Sequence, residues 1–167
     1  MKKLIKTFII LCILGGLAYY CFGILGIRIY QIDGTSMYPT FKSGEFVISI
    51  KKDNYKRGDI VVYKFNNAHI IKRIIALPNE KIEVRTDGRV YINDKALVEN
   101  YIETKTNKGE QNYPLTINNN EYFVIGDNRL DSYDSRYLNV GPISKGIIQG
   151  KIIFSINTFR MFSKETY

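Results

Sequence analysis

The chain has 167 residues, 45% of them apolar, and a formal net charge of +8. That length supports one compact domain, and the cation excess is spread without a compact Lys/Arg run or aromatic-basic motif, so no nucleic-acid partner is expected and a basic surface near anionic lipid is the milder reading. Both cysteines, Cys12 and Cys21, fall in one N-terminal apolar run and His69 is the single histidine, so no disulfide, thiol nucleophile, metal site or cofactor is expected in the rest of the chain.

From Thr7 to Ile27 there are 21 residues without a charge, bounded by Lys6 and Arg28. At 1.5 Å per residue such a helix spans roughly 30 Å, the thickness of a bilayer's hydrocarbon core. A cleaved secretory signal is the competing reading, because Gly16 and Ala18 are small residues spaced for a cut after Ala18. Apolar character continues through Tyr19, Phe22, Ile24, Leu25 and Ile27, well past the roughly 7–15 residues of a signal's apolar region, so an uncleaved single-pass anchor is expected. The bulky Leu11 before Cys12 does not fit lipoprotein processing. Lys2, Lys3 and Lys6 precede the span and only Arg28 follows closely, which keeps the N-terminus cytoplasmic and sends residues 28–167 across the membrane. The expected division is therefore 1–27, cytoplasmic tip and anchor, and 28–167, an extracytoplasmic domain.

Beyond the anchor the apolar pattern has period two. Residues 28–32, 45–50, 59–64, 69–75, 81–84, 89–92 and 121–125 read as strands rich in β-branched residues, and Tyr30 and Ile32 share one face of the first. Turn residues punctuate them at Ser43-Gly44, Arg57-Gly58-Asp59, Pro78-Asn79, Asp87-Gly88 and Gly126-Asp127-Asn128. Many short strands with tight turns predict a mainly β domain. The polar stretch from about 93 to 120 reads as an exposed excursion, tolerant of insertions and poor for chemistry. Ile147–Phe162 is interrupted by Lys151 and Arg160 and is not a second span.

Three segments carry chemistry. Ser36, in Gly34-Thr35-Ser36-Met37-Tyr38-Pro39-Thr40, lies between a strand and a Pro-containing turn, where a nucleophile is exposed in fixed geometry, although most such serines only bond the backbone. A serine hydroxyl needs a base. His69 in an apolar strand is more often structural, whereas Lys72 sits among Ile70, Ile71, Ile74 and Ile75, and alternation puts Ile70 and Ile74 on its own face. Burial there disfavours the ammonium, lowers its pKa and makes a neutral general base available. The third segment, Gly126-Asp127-Asn128-Arg129-Leu130-Asp131-Ser132-Tyr133-Asp134-Ser135-Arg136, has a loop's composition but also charges able to pair, Asp134 with Arg136 and Asp127 with Arg73.

In this order the segments resemble the boxes of bacterial type I signal peptidases, with Gram-positive character. Gly34–Thr40 is similar to the nucleophile box, Arg57–Tyr63 to a structural strand, Lys72-Arg73-Ile74-Ile75-Ala76-Leu77-Pro78 to the lysine box, Gly126–Arg136 to the loop box, and Gln149-Gly150-Lys151 to a Gly-Lys strand. The resemblance implies an antiparallel β-sheet catalytic domain behind a transmembrane helix in a bacterial cell membrane, and a serine endopeptidase that removes signal peptides from preproteins. It implies Ser36 as nucleophile, Lys72 as base, Ser132 as the hydroxyl orienting the amine, the Ser36 N–H as oxyanion donor, and Arg73–Asp127 and Arg136–Asp134 as supporting pairs. Gly34 stands where some members carry a second oxyanion donor, and Ala76, Asn79 and the spacing of Gly141 depart from the family pattern without removing a catalytic group. Tyr30, Ile32, Met37, Phe41, Ile70 and Ile71 are implied to line shallow apolar pockets for an extended Ala-x-Ala substrate. The alternatives are a non-catalytic relative that assembles surface structures and a peptidase dedicated to few substrates. The self-cleaving repressors that share the Ser/Lys pair carry a DNA-binding domain where this chain has its apolar span.

Overall fold

The computed structural model describes residues 2–24 and 26–156, with the side chains of residues 2, 17–19, 21, 22 and 24 outside the described set. A 23-residue helix, α1 (Lys2–Ile24), opens the chain. Among the described residues no helix is long and apolar enough to cross a membrane. The side chains of Tyr19, Cys21, Phe22 and Ile24 of the expected anchor, that of Ala18 of the competing cleavage reading, and the whole of Leu25 lie outside that description. Of the stretch Ile147–Phe162, Ile147 ends a 3-10 turn (Lys145–Ile147), Ile148–Ile156 is strand, and 157–162 are likewise outside it.

Among the described residues eleven strands follow: β1 (Ile27–Gln31), β2 (Phe46–Ile50), β3 (Ile60–Phe65), β4 (Ala68–Ala76), β5 (Lys81–Val84), β6 (Val90–Ile92), β7 (Lys95–Ala96), β8 (Leu115–Thr116), β9 (Glu121–Ile125), β10 (Ile143–Ser144) and β11 (Ile148–Ile156). The architecture is mainly β, as expected. The seven strands read from alternation are present to within one residue at either end. β7, β8 and β10 are two-residue pieces too short to show a period. Of β11, the sequence marks only Gln149–Lys151.

The strands form two antiparallel sheets, one ordered β1-β2-β11-β3-β4-β9-β10 and one ordered β7-β6-β5-β8. The last described strand thus lies inside the larger sheet, between β2 and β3. β4 is covered on both sides, which explains its nearly continuous apolar sequence. Ile74 packs with Tyr63 and Val124 in one cluster, whereas Ile75 and Ala76 join Ile82, Val84 and Phe123 in another between the sheets. A third cluster joins Ile32, Met37 and Phe41 to Val47 and Val62. Together they hold β4 from three directions, and Lys72 lies on this strand.

The stretch expected as an exposed excursion is only partly so. Thr106 and Ile117 are buried, and the Glu99 carboxylate is buried with Arg129, 2.6 Å away. Arg129 Nη1 also donates to Thr106 Oγ1, and the Tyr101 ring lies 4.0 Å from the Arg73 guanidinium. Further along, the Glu110 and Gln111 amides donate to the Arg136 carbonyl at 2.8 and 3.1 Å. Residues 99–111 are therefore a strap over the 126–136 loop. Polar composition concealed this because the polar groups pair with each other rather than with water.

Glu99→Ala would leave Arg129 charged, buried and unpaired. Its loss is expected to cost about 3–5 kcal/mol, read as a lower urea midpoint at unchanged slope. A variant as stable as wild type would show that the strap does not hold the loop.

Candidate active site

Ser36 follows β1 in a tight turn, where the Tyr38 amide donates to the Thr35 carbonyl and the Phe41 amide to the Met37 carbonyl, each at 2.9 Å. Gly34 enters the turn at φ +85°, a left-handed conformation that favours glycine. Met37 and Phe41 are buried and anchor the turn to the third cluster, while Ser36 stays half-buried. The Asn128 amide donates to the Ser36 carbonyl at 3.1 Å, and Thr35 Oγ1 donates to Asp131. Among the described residues the Ser36 N–H has no hydrogen-bond acceptor.

Lys72 Nζ lies 2.5 Å from Ser36 Oγ, the only hydrogen-bond partner found for this amine among the described residues. The residue is 4% exposed. On β4 it is paired with Val61 of β3, and Ile74, on the same face, is fully buried. Burial lowers the amine from an ordinary 10.5 to about 8; the nearby Asp134 carboxylate pulls upward and the Arg136 guanidinium pushes further down. His69, the conventional base, is exposed and sets its ring 5.0 Å from that of Tyr30.

The 126–136 loop is built around two buried carboxylates. Asp127 accepts from Arg73 Nε and Nη2 at 2.8 and 2.6 Å and from Thr40 Oγ1 at 2.5 Å. Asp134 accepts from Arg136 Nε and Nη2, the Gly126 amide and Ser132 Oγ, at 2.8, 2.9, 3.0 and 2.6 Å. Both expected ion pairs are formed. The Ser132 hydroxyl donates to Asp134 rather than to the lysine, and no direct Ser132–Lys72 hydrogen bond is present. Gly126 is where the parts close on one another, for a Cβ there would meet Ser132 Oγ and the Ser36 carbonyl. Sequence reasoning missed Thr40, Asn128 and Asp131. A threonine and an asparagine near a polar loop give no sign of their distant partners, the Asp127 carboxylate for Thr40 and the Thr35 and Ser36 carbonyls for Asn128.

A cavity of about 340 Å³ opens beside the pair, lined by Ser36, Lys72, Ile70, Tyr63, Phe65 and Tyr133 among others. Of the six residues assigned to substrate pockets, Ile70 lines this cavity. Tyr30 and Ile71 instead pack against the cluster that buries Ile32, Met37 and Phe41.

An alcohol in contact with a buried amine of lowered basicity, on an antiparallel β scaffold, has the make-up of a serine peptidase. Residues 1–157 match the family model described as signal peptidase, peptidase S26. Signal peptidase I S of Bacillus subtilis strain 168 is 36% identical over 148 residues, covering 81% of this chain and 79% of the relative. Probable signal peptidase I-2 of Synechocystis is 37% identical over 139 residues, covering 72% of this chain and 62% of the relative. The crystal structure of a signal peptidase I from Enterococcus faecalis V583 superposes with a TM-score of 0.52 at 31% identity, covering 62% of this chain and all of the other. The chain belongs to the signal peptidase family, peptidase S26.

The lowered lysine has a stability consequence. Between about pH 8 and 10.5 the unfolded chain holds a proton that the folded chain has released, so stability rises with pH across that window. The interval corresponds to about 3 kcal/mol, and below it the cost is complete. Lys72→Met, which keeps the side-chain bulk, is expected to melt above wild type at pH 7, with the difference shrinking toward pH 10. A constant difference across that range would contradict a buried titrating amine.

Proposed function

We propose that the family activity, removal of signal peptides from secreted preproteins, runs in this chain on Ser36 and Lys72. Membership carries the activity itself: the chain is a signal peptidase I, a serine peptidase. The single observation behind the residue assignment is the 2.5 Å contact between Ser36 Oγ and an amine lowered by burial to about 8.

The chemistry follows from that contact. Neutral Lys72 takes the hydroxyl proton as Ser36 Oγ attacks the scissile carbonyl, and the free Ser36 N–H donates to the oxyanion. The resulting ammonium passes its proton to the departing amine, leaving an acyl-serine. Lys72, neutral again, then deprotonates the water that cleaves the ester. Ser132, turned to Asp134, keeps lone pairs with which to steer the amine between these transfers. In this reading the buried Ile32, Met37 and Phe41 would form the floor of shallow Ala-x-Ala pockets. Small side chains at the first and third positions before the cut are the expected preference.

The same reading places the peptidase on a membrane, with α1 as its anchor and the N-terminus cytoplasmic. Support comes from the 21 uncharged residues and from large apolar side chains exposed on every side of the helix, Leu4, Phe8, Leu11 and Ile13 among them. A helix whose described apolar side chains are exposed all round suits lipid. The three preceding lysines set the orientation.

Incubating the purified chain with a preprotein and mapping the cut by mass spectrometry tests the proposal. Ser36→Ala and Lys72→Ala should each lower kcat/KM by at least about a thousandfold while remaining folded. For wild type, kcat/KM should climb about tenfold per pH unit toward pH 8 and then level, because only the neutral amine accepts a proton. Activity that survives Lys72→Ala but is lost in His69→Ala, or a flat profile from about pH 5 to 9, would show that another group is the base.

A further inference from the structure

Away from the catalytic pair, four neighbouring strands of the larger sheet share one end. β1 begins there, β2 ends, β11 begins and β3 ends. The register aligns them: Ile27 pairs with Ile50, Lys151 also pairs with Ile50, and Ile148 pairs with Tyr63. α1 reaches the sheet at this same end, since only positions 25 and 26 separate it from β1.

A cavity of about 370 Å³ opens at that junction, lined by Arg28, Lys51, Lys64 and Gln149, with Gly26, Gly146, Ile147 and Ile148. Three cations border one cavity and no carboxylate does. Elsewhere Lys81, Arg85 and Lys151 each find an acidic partner, but among the described residues Arg28, Lys51 and Lys64 find none. Arg28 Nη1 donates to Gln149 Oε1 at 3.1 Å, and the Tyr30 hydroxyl donates to the same oxygen at 3.2 Å, so the guanidinium is tethered at the rim. Like charges gathered without a counter-charge repel one another, and an anion between them removes that penalty.

The geometry points to a phosphate-binding site where the anchor leaves the bilayer, taking the headgroup of an acidic phospholipid from the outer leaflet. The choice of a lipid rests on the anchor reading, which puts Gly26 at the headgroup level, where anionic phosphates are concentrated and basic side chains are drawn to them. Arg28 supplies a fork of donors for phosphate oxygens, and the two lysines supply compact charges that tolerate variation in the headgroup. Occupancy ties the start of the β domain to the membrane surface through β1, β2 and β3 together.

Native mass spectrometry of the full chain in neutral maltoside micelles reads this directly, with short-chain phosphatidylglycerol, short-chain phosphatidylcholine and inorganic phosphate as separate probes. Wild type should retain one phosphatidylglycerol saturably and no phosphatidylcholine. The triple variant Arg28→Gln, Lys51→Gln, Lys64→Gln should bind at least about tenfold more weakly, whereas Lys42→Gln, Lys95→Gln, Lys108→Gln, which removes equal charge from exposed sites elsewhere, should change affinity less than about twofold. Equal losses in both triples, or phosphatidylcholine retained as well as phosphatidylglycerol, would overturn the site. Inorganic phosphate binding as tightly as the lipid would overturn the lipid as its occupant. Preprotein cleavage in the same micelles and recovery of the chain with cell membranes separate the cases. An active, membrane-bound wild type that retains no lipid contradicts this site alone; an inactive one that retains it contradicts the catalytic reading; a chain absent from membranes contradicts the anchor.

Discussion

Removing one ammonium group from water is the constraint on which the molecule's chemistry turns. Lys72 is 4% exposed on a strand covered on both faces, so its charged form lacks the hydration that stabilises it elsewhere. Asp134 partly offsets this, and the balance leaves an amine near pH 8 rather than at 10.5. At pH 7 about one molecule in ten then carries a free base, against a few in ten thousand for an ordinary lysine. The same burial costs stability, so function and folding pull in opposite directions at this residue.

Holding an alcohol at 2.5 Å from that amine requires the rest of the scaffold. Ser36 comes from a turn after β1 and Lys72 from the middle of β4, elements that are not adjacent in the sheet. The 126–136 loop bridges them. It hydrogen-bonds the Ser36 carbonyl through Asn128, grips Arg73 beside Lys72 through Asp127, and lets Gly126 approach the nucleophile's backbone more closely than any side chain allows. Its two buried carboxylates, Asp127 and Asp134, are engaged by guanidinium, hydroxyl and amide donors, the condition under which buried charge positions a site rather than unfolding it. The strap of residues 99–111 closes over the loop with a further buried pair, Glu99 and Arg129.

Much of this was legible from residues alone, for local reasons. Alternation located the long strands, because one-sided or two-sided burial is written directly in the sequence, and the placement of Ile70 and Ile74 on the face of Lys72 foretold its burial. The pairs Arg73–Asp127 and Arg136–Asp134 were readable as opposite charges in motifs of familiar spacing. The Glu99–Arg129 pair was not, since 30 residues and a polar, turn-rich stretch separate the partners and the composition matches that of a solvated loop. Ser132 was expected at the amine, but its hydroxyl turns to the stronger acceptor, Asp134. The substrate residues also divided differently, because side chains that line a shallow surface and those that pack beneath it have the same apolar character. β11 escaped full recognition for a related reason: Gln149, Gly150 and Lys151 interrupt its apolar run, and its place between β2 and β3 depends on pairings about a hundred residues apart.

A titration of the lysine side chain itself, by NMR of the carbon next to Nζ in the Ser36→Ala protein to prevent turnover, tests the central claim most directly. One lysine resonance, assigned by its absence in Lys72→Met, should change between its protonated and neutral positions with a midpoint near pH 8. A midpoint near 10.5, shared with the surface lysines, would mean that the amine remains an ammonium at working pH, and that Ser36 must be activated in some other way.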